Sequence, residues 1–64
     1  MHPRPYVAAV EEARADLDEA ERALSDAIVA AHLAGEPVAS IARAARLTRP
    51  TIYSHIERFR ERKA

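Results

Sequence analysis

The chain has 64 residues, enough for one domain but too few for a large hydrophobic core. Hydrophobic residues make up 48% of it, but fifteen residues are alanine, and the absence of cysteine excludes disulfides and thiolate zinc sites. Chains this small usually need an added source of stability, and self-association is the one left open. No apolar run reaches membrane-spanning length and no signal peptide is visible, so we expect a soluble, cytoplasmic protein with no membrane partner.

The zero net charge conceals a division between the two halves of the chain. Residues 1–35 contain seven acids and three bases, a net charge of −4, and residues 36–64 contain three acids and seven bases, a net charge of +4. This asymmetry predicts that the second half faces a polyanion, the alternative being solvated charge on ordinary helices. Nine arginines to one lysine, together with abundant alanine, are typical of a GC-rich bacterial genome.

A long first helix is predicted over residues 6–34. Two prolines in residues 1–5 indicate a flexible arm, and Pro5 suits a first helical turn because its missing N–H is not needed there. Residues 6–34 contain no glycine or proline and are rich in strong helix formers, with Asp18 four residues from both Arg14 and Arg22. Gly35 supplies the helix stop. At 1.5 Å per residue the helix is roughly 44 Å long, more than a compact 64-residue bundle needs.

The apolar pattern of this helix repeats every seven residues. Val10, Leu17, Leu24 and Ala31 form one series, and Tyr6, Ala13, Ala20, Ala27 and Ala34 form the other. Together they make a stripe typical of a coiled coil. The alternative is packing against the helix's own chain, but the later helices are too short to cover its N-terminal half. We therefore predict homodimerisation through Tyr6, Val10, Ala13, Leu17, Ala20, Leu24 and Ala27, with the direction of pairing left open.

Two shorter helices are predicted within residues 36–64. The first begins at Glu36-Pro37, ends near Arg46-Leu47 and turns Val38, Ile41, Ala42 and Ala45 inward. The second has Thr48 as its N-cap, tolerates Pro50 in its first turn, and places Ile52, Ile56 and Phe59 on one face. Two short helices joined by a corner of three or four residues describe a helix-turn-helix. The predicted fold is therefore all-α, with three helices in a single domain over residues 1–64.

The stretch "GEPVASIARAARLTRPTIYSHI", residues 35–56, resembles the DNA-binding domain of serine recombinases of the DNA invertase and resolvase class. The shared features are the initial Gly-x-Pro, Ile41-Ala42 in the first short helix, Leu47 in the corner, and Thr51-Ile52-Tyr53 followed by Ile56. The resemblance covers about a third of the chain. Similar patterns occur in region 4 of sigma factors and in small repressors, and nothing in the chain resembles the recombinase catalytic domain.

The resemblance implies that the third helix enters the DNA major groove. Arg43 and Arg46 would then meet the backbone from the corner side, and Thr51 and Tyr53 would contact phosphates. The full set of predicted DNA-binding residues is Arg43, Arg46, Thr48, Arg49, Pro50, Thr51, Tyr53, Ser54 and Arg58. For Tyr53 the alternative is a place at the edge of the core, and for Arg58 it is a solvated helix end.

Two positions depart from the recombinase pattern. Arg46 replaces a corner glycine that often has positive φ. A side chain there carries a conformational cost, so we expect a remodelled corner. Ser54 stands where the invertases have a base-contacting arginine. With Glu57 and Glu61 also on the outer line of the helix, we expect modest sequence specificity from each copy, recovered when two copies bind together.

No catalytic or metal site is predicted. Ser54 and His55 are neighbours on one helix, about 100° apart, and so do not form a nucleophile–base pair. His2, His32 and His55 lack metal-ligand spacing, and we expect His32 to line the junction between the long helix and the helix-turn-helix. We expect no enzyme activity, no cofactor and no small-molecule ligand.

These observations predict a homodimer that binds double-stranded DNA sequence-selectively. Its role would be that of a small transcriptional regulator or a phage- or plasmid-type control protein, associated with the nucleoid. The alternatives are a coiled-coil adaptor that binds another protein and a nucleoid-type DNA binder with little sequence preference. The target sequence, the regulated process, activation versus repression and any further protein partner stay open.

Overall fold

Three α-helices make up the computed structural model, which describes residues 4–63: α1 (Pro5–Leu33), α2 (Val38–Ala45) and α3 (Arg49–Lys63). No β-strand occurs within this range. The predicted all-α fold, a long first helix followed by a helix-turn-helix, is confirmed. Of the predicted arm, residues 1–3 lie outside the described residues, Arg4 directly precedes α1, and Pro5 is the first helical residue.

The boundaries of α1 lie one residue earlier than predicted at each end. Pro5 occupies the first turn, as its missing N–H permits. At the other end Gly35 adopts φ +91°, a value favoured by glycine, and its N–H donates to the His32 carbonyl at 3.0 Å. Along the helix the Asp18 carboxylate pairs with Arg14 at 3.1 Å, whereas the predicted pair with Arg22 is not formed in the described part of the chain.

The second helix is shorter than predicted. Pro37 has extended backbone angles, and its carbonyl accepts hydrogen bonds from the N–H groups of Ser40 and Ile41, so it precedes α2 instead of belonging to it. The helix ends at Ala45 because Arg46 adopts left-handed angles, φ 59° and ψ 40°. The prediction of an end at Arg46-Leu47 is therefore wrong by one or two residues.

All three helices contribute to one small core. Its buried members are Ile28, Ile41, Ala42, Ile52 and Ile56, and the half-buried side chains packed against them are Ala31, Val38, Ala45 and Leu47. The predicted inward faces of α2 and α3 are thus confirmed, with Phe59 only half-buried. The last turns of α1 supply Ile28 and the neighbouring buried Val29, so this end of α1 belongs to the helix-turn-helix core.

The N-terminal part of α1 projects beyond this core, and the described chain measures 53 × 28 × 18 Å. Neither α2 nor α3 covers the stripe here: Tyr6 is 87% exposed, Val10 68%, Leu17 47% and Leu24 39%. The expectation that the short helices leave the N-terminal half of α1 uncovered is confirmed. Pairing through the stripe stays a prediction.

Candidate nucleic-acid interface

The corner between α2 and α3 is built by backbone hydrogen bonds and one side-chain cap. Leu47 donates its N–H to the Ala42 carbonyl at 3.0 Å, which turns the Leu47 side chain toward the core. The Thr48 hydroxyl accepts a 3.4 Å hydrogen bond from the Thr51 N–H and shares a 2.9 Å hydrogen bond with the Thr51 hydroxyl. Thr48 is therefore the N-cap that the sequence predicts, because it satisfies an otherwise free N–H at the start of α3.

Arg46 turns the chain without glycine. Its left-handed conformation costs an L-residue about 1–2 kcal/mol, and it is the only non-glycine residue with positive φ among residues 4–63. The Arg46 N–H donates to the Arg43 carbonyl at 3.3 Å, which ends α2 in the manner of a C-terminal glycine. The corner thus adopts the positive φ typical of the glycine that Arg46 replaces, in place of a remodelled backbone, and puts an arginine at its tip.

The predicted DNA-binding residues all lie along one continuous path, from the last turn of α2 through the corner to the third turn of α3. Arg43, Arg46, Arg49 and Arg58 are exposed. None of the first three forms a salt bridge within residues 4–63, whereas Arg60, further along α3, pairs with Glu57 at 3.6 Å. The structure therefore brings three uncompensated guanidinium groups to the corner side of the helix-turn-helix.

The outer surface of α3 offers few groups for base recognition. Ser54 donates its hydroxyl hydrogen to the Pro50 carbonyl at 3.1 Å, and its own carbonyl accepts a 3.5 Å hydrogen bond from Arg58 Nε. Tyr53 is 55% exposed, so it is not a buried core residue. At the far end of α3, Lys63 Nζ lies 5.6 Å from the centroid of the Phe59 ring.

One contact that the sequence does not predict ties α3 to α1. His55 Nδ1 lies 3.0 Å from Ser25 Oγ, and the bond is partly buried. It forms one side of an open cleft of about 620 Å³ whose walls also carry Glu21, Arg58 and Arg62. His32, expected at this junction, is half-buried but makes no such side-chain bond among the described residues. The two partners are thirty residues apart, so no local pattern signals the contact.

The described residues contain no group of three or more histidine, cysteine or acidic side chains that would hold a metal ion. None of the three helices combines the length and the apolar character that crossing a bilayer requires, again within residues 4–63.

Comparison with known protein families gives a match over more than half of the chain. The family model described as winged helix-turn-helix matches residues 27–63, the range that contains the last turns of α1, all of α2 and all of α3. The match identifies a helix-turn-helix DNA-binding domain and does not point to the serine recombinases in particular. The family description names a wing, but residues 4–63 contain no β-strand that would form one. No curated protein and no solved structure matches the chain significantly.

Proposed function

The chain belongs to the winged helix-turn-helix family, and from this premise we propose that it binds double-stranded DNA as a homodimer. In this proposal α3 enters the major groove, and the corner between α2 and α3 rests on the DNA backbone. Pairing through α1 would deliver two helix-turn-helix units to one DNA site. The docking mode follows the resemblance to the serine recombinases, which the family match neither requires nor excludes.

The observation that carries the proposal is the set of free guanidinium groups around the corner. Arg43, Arg46 and Arg49 lie on the last turn of α2, the corner and the first residue of α3, and all are exposed. Acidic partners do not neutralise them within the described residues. Arginine binds phosphate in a bidentate manner, so this surface suits a DNA backbone.

We propose that sequence selectivity is modest for each copy. Arg49 and Ser54 are the groups best placed to approach base edges, because only the first turns of such a helix lie deep in the groove. Further along the outer line come Glu57 and Glu61, which a phosphate backbone would repel. Selectivity would then come from two half-sites read at once, in keeping with a small transcriptional regulator or a phage- or plasmid-type control protein that acts at the nucleoid.

Fluorescence anisotropy of labelled duplexes over a salt series tests the proposal. Affinity should fall linearly on a logarithmic plot, with a slope of about −0.9 for each phosphate neutralised. A site obtained by selection from random duplexes should bind more tightly than scrambled DNA of equal length. Absence of duplex binding at low salt, in anisotropy and in mobility-shift assays alike, would refute the proposed function.

A second candidate function is a nucleoid-type protein without sequence preference. The polar and acidic outer line of α3, with the Ser54 hydroxyl bonded to its own helix, favours it. This candidate predicts equal affinity for selected and scrambled duplexes. A third candidate, the coiled-coil adaptor, is favoured by the exposed α1 stripe and predicts a chain that ignores DNA but captures another protein.

A further inference from the structure

The exposed stripe of α1 continues into a groove beside the helix-turn-helix. The groove has a volume of about 260 Å³ and lies between the last turns of α1 and the edge of α2; its apolar walls include Leu24, Ala27, Ala31, Ile41, Ala44 and Ala45. The stripe and the groove thus form one apolar surface that runs along α1. Within the described chain nothing covers it.

We propose that a second copy of the chain covers this surface with its α1 antiparallel, so that Tyr6 and Val10 of the partner subunit fill the groove. This inference rests on the proposed homodimer and adds its direction and register. In the register we assign, the numbers of two facing residues add up to about 37. Leu17 then faces Ala20, Leu24 faces Ala13, and each contact occurs twice by two-fold symmetry.

Packing of side chains favours this direction. In the antiparallel register every layer of the interface joins one large residue to one alanine, so the two helix axes keep an even separation along their length. A parallel, in-register pair would instead stack Leu17 on Leu17 and Leu24 on Leu24, with layers of alanine on alanine between them. The alanine layers would then leave gaps, or the leucine layers would be overpacked.

The ends of the helix agree with the same register. When the numbers of facing residues add up to 37, Pro5 lies opposite His32 of the partner subunit. Because α1 spans Pro5–Leu33, the two helices then overlap over nearly their full length. A shift by one heptad shortens the overlap by five or by seven residues, according to its direction, and stacks Ala13 on Ala31 or Tyr6 on Leu24, respectively. The assigned register therefore buries the most apolar surface.

Charges beside the stripe distinguish the two directions. In the antiparallel pair Arg14 faces Glu21 of the partner subunit, and the symmetry repeats this attraction. In a parallel pair the equivalent flanking contact joins Asp16 to the partner's Glu21, two like charges, again twice. Arg14 and Asp18 already form an exposed ion pair within one helix, so the guanidinium lies on the required side of α1.

The antiparallel direction also places both helix-turn-helix units on one side of the dimer. Each unit is attached to α1 through Ser25 and Ile28, to one side of the stripe. In an antiparallel pair the two-fold axis is perpendicular to the helices, and it leaves both helix-turn-helix units on the same side of the pair. In a parallel pair the axis runs along the helices and places the two units on opposite sides. The two Ile28 residues would be nineteen positions apart along the helix direction. At 1.5 Å per residue, and with the separation of the two helix axes added at right angles, the distance between them is about 30 Å. This is near the roughly 34 Å between adjacent half-sites on DNA.

Disulfide cross-linking in the absence of DNA tests the direction. The described chain has no cysteine, so Ala13→Cys and Leu24→Cys each introduce a single thiol. In the antiparallel dimer, residue 13 faces residue 24, and two copies of residue 13 are roughly 16 Å apart along the axis, beyond disulfide reach. We expect oxidation to link the chains only when the two variants are unfolded and refolded together, with the mixed dimer identified by intact mass. Glu12→Cys, on the outward face, serves as the control for random collision.

Charge reversal supplies an independent test, read by sedimentation equilibrium. Glu21→Arg should weaken the dimer by about tenfold in the antiparallel arrangement, because Arg14 would face arginine twice, and adding Arg14→Glu should restore it. In a parallel dimer Glu21→Arg would face Asp16 and strengthen association. Glu12→Arg makes the same charge change away from the interface and should leave the dimer constant unchanged.

The outcomes separate this inference from the proposed function. Cross-linking of either single-cysteine variant alone, or a tighter dimer with Glu21→Arg, would overturn the antiparallel direction while DNA binding by the unmodified chain could stand. A chain that stays monomeric at all concentrations would overturn both the dimer and its direction. Loss of duplex binding with the predicted cross-link intact would refute the DNA-binding proposal alone.

Discussion

The His55 imidazole and the Ser25 hydroxyl, thirty residues apart, meet at 3.0 Å and join the third helix to the first. The contact is partly buried, so its loss would leave a polar ring nitrogen without a partner. Ser25→Ala should therefore lower the free energy of unfolding by about 1 kcal/mol, measured by urea denaturation. Ser40→Ala, at an exposed position on α2, is the control and should change it little. Equal stability of the two variants would show that water replaces the Ser25 hydroxyl without cost.

The left-handed corner residue predicts an unusual stabilisation. Arg46→Gly should raise the free energy of unfolding by about 1 kcal/mol, because glycine adopts φ 59° without the penalty that a side chain incurs. Arg43→Gly removes the same side chain from inside α2 and should lower stability by about 1 kcal/mol. Thermal unfolding followed by circular dichroism measures both. If Arg46→Gly unfolded at a lower temperature than the unmodified chain, packing of the arginine stem would outweigh the conformational cost.

The core depends on few large side chains. Ile52 is fully buried, and Ile52→Ala should lower the free energy of unfolding by about 2–5 kcal/mol. Single cores of this size rarely supply more than about 3–5 kcal/mol in total, so we expect a largely unfolded chain. Far-ultraviolet circular dichroism and urea titration provide the measurement. Tyr53→Ala, at the adjacent exposed position, should keep the helical signal; similar losses in both variants would contradict the assigned burial.

Arg49, at the start of α3, separates base contact from phosphate contact. Arg49→Ala should weaken binding to a selected duplex by about 1–3 kcal/mol if the side chain contacts a base, with a smaller loss on scrambled DNA. An equal loss on every sequence, with a salt slope lower by about one unit, would assign it to phosphate. Arg60→Ala, whose guanidinium is paired with Glu57, is the control in the same anisotropy assay.

Leu17 and Leu24 test whether α1 pairs two chains. Leu17→Glu combined with Leu24→Glu should produce monomers, because two charges per helix would enter an apolar interface. Affinity for a two-half-site duplex should then fall toward that of a single unit. The control adds the same two charges on the outward face of α1, as Ala8→Glu with Ala15→Glu. An unchanged dimer mass in sedimentation equilibrium for the leucine variant would refute the coiled-coil prediction.

Much of the fold could be predicted because its elements depend on local patterns. The spacing of Ile41, Ala42, Ile52 and Ile56 identified the buried faces of α2 and α3, and Thr48 marked the start of α3. Helix ends were less predictable. The end of α2 lies at Ala45, because the next residue, Arg46, adopts left-handed backbone angles that end the helix and turn the corner.

The candidate site was proposed from the sequence as a set of residues, and their contact with DNA stays a prediction. The sequence alone placed arginines in and around the corner, and the structure adds which of them lack an acidic partner in the described chain. The contact between His55 and Ser25 and the groove beside α2 had no local signal. Both arise where α1 meets the short helices, and that meeting depends on how three helices pack at once.

The sequence by itself determined the three helices, the corner and the seven-residue stripe, since helix propensity, capping and apolar period act over a few neighbouring residues. Only the tertiary structure decided where α1 changes from a projecting helix to part of the core, with Ile28 and Val29 buried and Leu24 left half-covered beside the groove. The reason is that burial depends on side chains from other segments, about thirty residues away in the sequence. The apolar period of one helix does not predict which of these side chains will pack against it.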